Sequence, residues 1–173
     1  HAVTEDTAVI MSLIASDLST QHPLEHGFQL PPLALYVHIP WCIRKCPYCD
    51  FNSHAATPEL PEQAYVAAVL ADLDLDLIHV HGRQLESIFF GGGTPSLFSA
   101  QALQTLLEGI QQRIPFSPSI EITLEANPGT FEQEKFAAYR ALGINRLSIG
   151  IQSFADSKLQ ALGRVHSGTE AIA

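Results

Sequence analysis

Residues 33–39 form a short apolar run rich in Val, Ile and Tyr that follows Pro31-Pro32, and it predicts a buried strand. Over 61–78 the apolar positions Tyr65, Val69, Leu73 and Leu77 recur near the helical period, with Pro61 in the first turn. This predicts an amphipathic helix with Asp72, Asp74 and Asp76 mostly around its solvated side. Three more strand-then-helix units follow. A strand over 86–90 stops at a glycine run and precedes a helix over 99–113 with Ser99 as N-cap; a strand over 120–124 precedes a helix over 131–142 that Gly143 ends. A strand over 146–151 leads into a helix over 155–162, and another helical pattern opens at Thr169.

Strands alternating with helices of this length imply right-handed crossovers, hence an α/β fold with a parallel sheet and outer helices: about four βα units of a partial barrel. In such barrels the chemistry sits on loops leaving the C-terminal ends of the strands. Those loops carry Cys42 to Cys49, then Gly91-Gly92-Gly93-Thr94-Pro95, then Glu125-Ala126-Asn127-Pro128, then Gln152. Every unusual motif is therefore expected on one face. Residues 31–173 are read as a core domain cut short at its C-terminal side. Residues 1–30 are read as a leader outside that domain; position 1 is His, and the single methionine is Met11, so 1–10 are expected to be upstream or added sequence.

With 46% hydrophobic and 16% charged residues, the 173-residue chain has the composition of a soluble globular protein. Nine basic residues against eighteen acidic give a formal net charge of -9 without any basic run, which argues against nucleic acid and for a small-molecule ligand. No stretch is apolar for long enough to span a membrane, and the apolar run 8–15 lacks a basic flank, so neither span nor signal peptide is expected. The cysteines number three and lie within eight residues, a poor disulfide framework but a good metal or cluster framework, which places the chain in a reducing cytoplasm.

Thiolates spaced C-x₃-C-x₂-C on one loop can converge on a soft metal centre, zinc or iron–sulfur. A closed zinc site needs a fourth ligand, which His38 or His54 offers; a redox pair of Cys46 and Cys49 is a further reading. The glycines after the second strand permit close backbone approach to a ligand, and Thr94 adds a hydroxyl. No phosphate-binding P-loop is present. Glu125 ends an apolar strand, where its charge must either meet a neighbouring backbone donor or bind a ligand. Gln152 reads alternatively as the cap of a turn and Arg164 as half of a surface ion pair.

The run Tyr36-Val37-His38-Ile39-Pro40-Trp41-Cys42-Ile43-Arg44-Lys45-Cys46-Pro47-Tyr48-Cys49 resembles the signature of the radical S-adenosylmethionine (SAM) superfamily, in its coproporphyrinogen-dehydrogenase-like branch. The resemblance covers roughly residues 32–170. It implies that Cys42, Cys46 and Cys49 hold three irons of a [4Fe–4S] cluster whose fourth iron binds SAM. It implies further that Tyr36, Gly92, Gly93, Thr94, Glu125, Gln152 and Arg164 line the SAM pocket, Arg164 standing twelve residues after Gln152. Trp41 and Tyr48 are expected either to shield the cluster or merely to fill space. Dehydrogenases of this branch carry a fourth cysteine where this chain has Phe51, and the run Cys49-Asp50-Phe51-Asn52-Ser53 is similar instead to HemW-type haem chaperones. That likeness implies haem as a further ligand, with haem-accepting proteins and an electron donor as partners. Two alternatives stand beside it: oxidation of coproporphyrinogen III, a porphyrinogen, on its propionate side chains through a 5′-deoxyadenosyl radical, and a non-enzymatic zinc or cluster module.

Overall fold

The computed structural model describes residues 29–172. The expected leader, with its apolar run 8–15 and Met11, lies outside the described residues except for positions 29 and 30. In chain order the elements are β1 (Leu33–Ile39), β2 (Trp41–Cys42), β3 (His54–Ala55), α1 (Glu62–Asp76), β4 (Leu85–Gly92), α2 (Ala100–Arg113), β5 (Phe116–Ala126), α3 (Thr130–Ala141), β6 (Arg146–Ile149), α4 (Asp156–Ala161) and α5 (Gly168–Ile172). Short 3₁₀ turns occupy Leu77–His79 and Pro95–Leu97.

The main sheet has the order β1-β4-β5-β6 with every neighbouring pair parallel, as the alternation of strands and helices predicts. Period-2 alternation sorts β1: Leu33, Leu35, Val37 and Ile39 are buried, while Ala34, Tyr36 and His38 take the other face. The buried set shares one core with Val66, Val69 and Leu73 of α1, Ile88 and Phe90 of β4, and Leu103, Leu106 and Ile110 of α2. Each such side chain contributes about 1.5–3 kcal/mol by leaving water. Helices α1 and α2 approach closely at Gly109, where an added Cβ would lie 2.5 Å from Leu70 Cδ1.

Element boundaries depart from the sequence pattern for local reasons. Strand β4 continues through Gly91 and Gly92, because both pair with β1 opposite His38 and Ile39. Strand β5 begins at Phe116, four residues before the expected start, even though Pro118 interrupts its ladder; the pairing with β4 slips between Leu85 and Ser87 to absorb the interruption. Strand β6 stops at Ile149, two residues early. Gly150 N–H donates to Ala126 O at 3.0 Å, and Gln152 then takes a positive φ of 73°, which turns the chain out of the sheet.

Ser99 caps α2 as expected, its Oγ accepting from Ala102 N at 3.1 Å. A tie across helices accompanies it: Glu62, in the first turn of α1, accepts from Ser99 N and from Ser99 Oγ, each at 2.6 Å. Asp74 lies on the solvated side, paired with Arg113 at 2.7 Å, whereas Asp72 is half-buried and its Oδ2 has no hydrogen-bond partner among the described residues. Burial, and then the nearby Asp76, raise the Asp72 carboxyl above its ordinary range.

Candidate functional site

The cysteine loop springs from the C-terminal end of β1 and is closed by a second, two-stranded sheet in which Trp41 and Cys42 pair in parallel with His54 and Ala55. His54 N–H donates to Pro40 O at 2.7 Å and Ala56 N–H to Cys42 O at 2.7 Å, so both ends of the loop are held together. Within it, Cys49 N–H donates to Cys46 O at 3.0 Å, and Lys45 Nζ donates to Ser53 O at 3.1 Å. His38 reaches the loop from the inner face of β1. Its Nε2 lies 2.8 Å from Asn52 O, a group that only accepts, so Nε2 carries the proton. Its Nδ1 lies 3.0 Å from Tyr36 Oη, a second hydrogen bond to the ring. Both nitrogens of His38 are thus engaged within the protein.

A cavity of about 510 Å³ opens above the strand ends. Cys42, Cys46 and Cys49 all line it, each a free, partly exposed thiol. The β4 loop adds Gly92, Gly93 and Thr94; β5 adds Glu125 and Asn127; the segment after β6 adds Gly150, Gln152 and Arg164. Every expected site residue is in this lining except Tyr36. The Tyr36 ring lies behind it, stacked on Phe89 at 6.1 Å and bonded to His38. Ile43, Tyr48 and Phe51, all substantially exposed, form an apolar rim on the cysteine loop. Among the described residues no three histidine, cysteine, aspartate or glutamate side chains gather as a cage for a single ion. Trp41 packs edge-on to Tyr65 at 4.7 Å and stacks on Phe98 at 5.7 Å, so it roots the loop in the core rather than lining the cavity.

The glycine run has a structural cause that the sequence pattern does not reveal. An added Cβ at Gly93 would stand 2.6 Å from Trp41 O and 2.9 Å from Pro40 C, because Gly93 N–H donates to Ile39 O at 2.8 Å and Thr94 N–H to Trp41 O at 2.7 Å. At Gly92, with φ of 117°, a Cβ would meet the His38 ring at 2.7 Å. The glycines let the β4 loop dock against the base of the cysteine loop. Glu125 meets a backbone donor as one of its two readings required, its Oε2 accepting Gly92 N–H at 3.1 Å. Burial raises its carboxyl pKa above the ordinary range; the Gly92 amide and His38 oppose the shift. Burial, and then the Glu125 charge, raise Tyr36 in turn.

Arg164 forms no ion pair among the described residues, which overturns the surface-pair reading. Its Nη2 donates to Asn127 Oδ1 at 2.6 Å and to Gly150 O at 2.5 Å, and its Nη1 approaches Cys46 Sγ at 3.6 Å. Gln152 takes a positive φ of 73° and lines the cavity. Asn127 was not singled out from the sequence. Its Nδ2 donates to Thr94 Oγ1 at 3.2 Å, which joins the β4 loop, the β5 loop, Arg164 and Cys46 into one polar chain. The available signal was its place between Glu125 and Pro128 on a loop already assigned to the site face.

Residues 36–173 match the Radical SAM superfamily. The chain is 56% identical over 143 residues to a protein named Heme chaperone HemW from Escherichia coli, covering 83% of this chain and 38% of that protein. It is 58% identical over 147 residues to the Heme chaperone HemW of Haemophilus influenzae, with the same coverage of each. The chain therefore spans under two-fifths of the length of these curated relatives. Among solved structures, Escherichia coli coproporphyrinogen III oxidase (HemN), described as a radical SAM enzyme, superposes with a TM-score of 0.66 at 28% identity, over 81% of this chain and 32% of that one.

Proposed function

Because the chain belongs to the radical SAM superfamily, we propose that it forms the cluster- and SAM-binding portion of a HemW-type haem chaperone. The observation that carries this reading is the convergence of three free thiols, the Gly92-Gly93 backbone and the side chains of Thr94, Glu125, Gln152 and Arg164 on one cavity. The donor set fits a [4Fe–4S] cluster: Cys42, Cys46 and Cys49 would each hold one iron, and a site with three protein ligands would keep one position open. Bound there, such a cluster supplies an electron and an open iron for reductive cleavage of SAM.

The remaining residues bind and orient. Gly92 and Gly93 bring backbone to the cavity wall, Thr94 and Gln152 offer hydrogen bonds, and Glu125 presents an acceptor for a cationic group. Arg164 presents positive charge beside Cys46, its Nη1 3.6 Å from the sulfur. Tyr36 acts from behind the lining by fixing His38 and packing near Glu125. The high identity to proteins named haem chaperones supports haem as the cargo, with haem-accepting proteins and an electron donor as partners. Phe51 supports this over coproporphyrinogen oxidation, since it occupies the place of the fourth cysteine of the dehydrogenases. Three unpaired cysteines support a reducing, cytoplasmic setting. No helix among the described residues is long and apolar enough to cross a membrane.

The test is anaerobic reconstitution of the full-length protein with iron and sulfide, reduction, and EPR before and after adding SAM. A [4Fe–4S]⁺ signal that SAM shifts, with haem binding and no consumption of coproporphyrinogen, is the expected result. A cluster blind to SAM, or retention of zinc alone, overturns the reading.

A further inference from the structure

Asn127 holds two of the proposed SAM-pocket residues at once, and the chemistry of its neighbours fixes which way its amide points. A guanidinium has donors only, so the atom facing Arg164 Nη2 at 2.6 Å must be the amide oxygen. The amide nitrogen therefore faces Thr94 Oγ1 at 3.2 Å and donates to it. A threonine hydroxyl has one proton, and with its oxygen accepting from Asn127 that proton is free to be donated elsewhere. Thr94 lines the cavity, is 4% exposed, and among the described residues its hydroxyl proton meets no acceptor.

We infer that Asn127 is a positioning residue that sets the polarity of the pocket, orienting Thr94 to donate its hydroxyl proton to an acceptor oxygen of the bound ligand while holding Arg164 beside Cys46. The inference rests on the SAM reading above, in which the ligand carries a carboxylate and ribose oxygens. A carboxylate at the same place would keep Arg164 but would also accept from Thr94. The hydroxyl would then donate backwards, and a lone pair would face the ligand oxygen. Such an inversion loses one hydrogen bond to a charged or strongly polar acceptor and adds a repulsion, which corresponds to roughly tenfold or more in affinity.

The experiment is equilibrium dialysis of SAM against the full-length, anaerobically reconstituted protein in four forms: unaltered, Asn127→Asp, Thr94→Val and the double variant. Cluster absorbance and far-ultraviolet circular dichroism serve to show that each form is folded and loaded. Both single variants are expected to bind about tenfold more weakly, and the double variant within about twofold of Thr94→Val alone. Asn127→Asp binding like the unaltered protein, or costing the same with and without the Thr94 hydroxyl, overturns the inference and leaves the SAM reading standing. Failure of the unaltered protein to bind SAM overturns both. Should Asn127→Asp not fold, Asn127→Leu takes its place: it removes the donor to Thr94 and the acceptor of Arg164 together, is expected to weaken SAM binding about tenfold or more, and unchanged binding overturns the inference.

Discussion

Glu125 shows how a single side chain is torn between folding and ligand. Its carboxyl sits half-buried at the end of an apolar strand, and one amide hydrogen bond from Gly92 only partly offsets the loss of water. Its folded pKa lies above the ordinary 4.5, so as pH rises past 4.5 the unfolded chain ionises this group first. The native state then binds more protons than the unfolded state, and stability falls with rising pH across the window from 4.5 up to the folded value. Urea unfolding of unaltered protein and Glu125→Gln over a pH series is expected to show a shallower decline for the variant, because glutamine can still accept from Gly92 without titrating. A parallel pair of curves would show that Glu125 carries no such penalty. At this scale the sequence was readable where chemistry is singular, in the clustered cysteines and a charge at a strand end; Gln152 and Arg164 stood out only through the family resemblance. Asn127 and His38 were not readable in their roles, because an amide and an imidazole acquire direction only from what stands opposite them.

Periodicity is at its best for elements of this length, and β1, α2 and the helix-stopping Gly143 came directly from it. Pairing is what it lacks. Pro118 hid the first residues of β5, and the pairing of Trp41 and Cys42 with His54 and Ala55 has no sequence signal, since two-residue strands exist only through their partner. The tie between α1 and α2 belongs to this class. Ser99→Ala removes both the cap and the hydroxyl that Glu62 accepts from, and is expected to cost about 1–2 kcal/mol in chemical denaturation. Ser99→Asp, ordinarily as good a cap, is expected to cost more than the alanine, because it sets a second carboxylate against Glu62. An aspartate that matches serine would mean that the Glu62 contact contributes nothing.

For the molecule as a whole, the alternation of strands and helices made the parallel sheet and its functional face legible, while the state of the last strand followed from topology. All four residues of β6 are exposed, with Leu147 at 38% and Ile149 at 43%, and Phe154 and Val165 add further uncovered apolar surface. Such an edge is a template for pairing with another chain. The 173-residue chain by itself is therefore expected to gain mass with concentration in sedimentation velocity, and Leu147→Lys to shift it toward the monomer. A chain that stays monomeric at every concentration, whatever stands at position 147, would show that the edge is inert.

The order of the sheet also sets a calendar for the molecule. Because β1, β4, β5 and β6 are neighbours in the sequence in which they are made, each strand finds its partner already in place as it leaves the ribosome, and nothing synthesised later has to thread between earlier strands. The thiols are consequently the first part of the cavity to emerge, and Arg164, 118 residues after Cys46, is among the last. For that interval of synthesis the nascent chain offers its cysteines on an unfinished wall, to which the arginine is added only later.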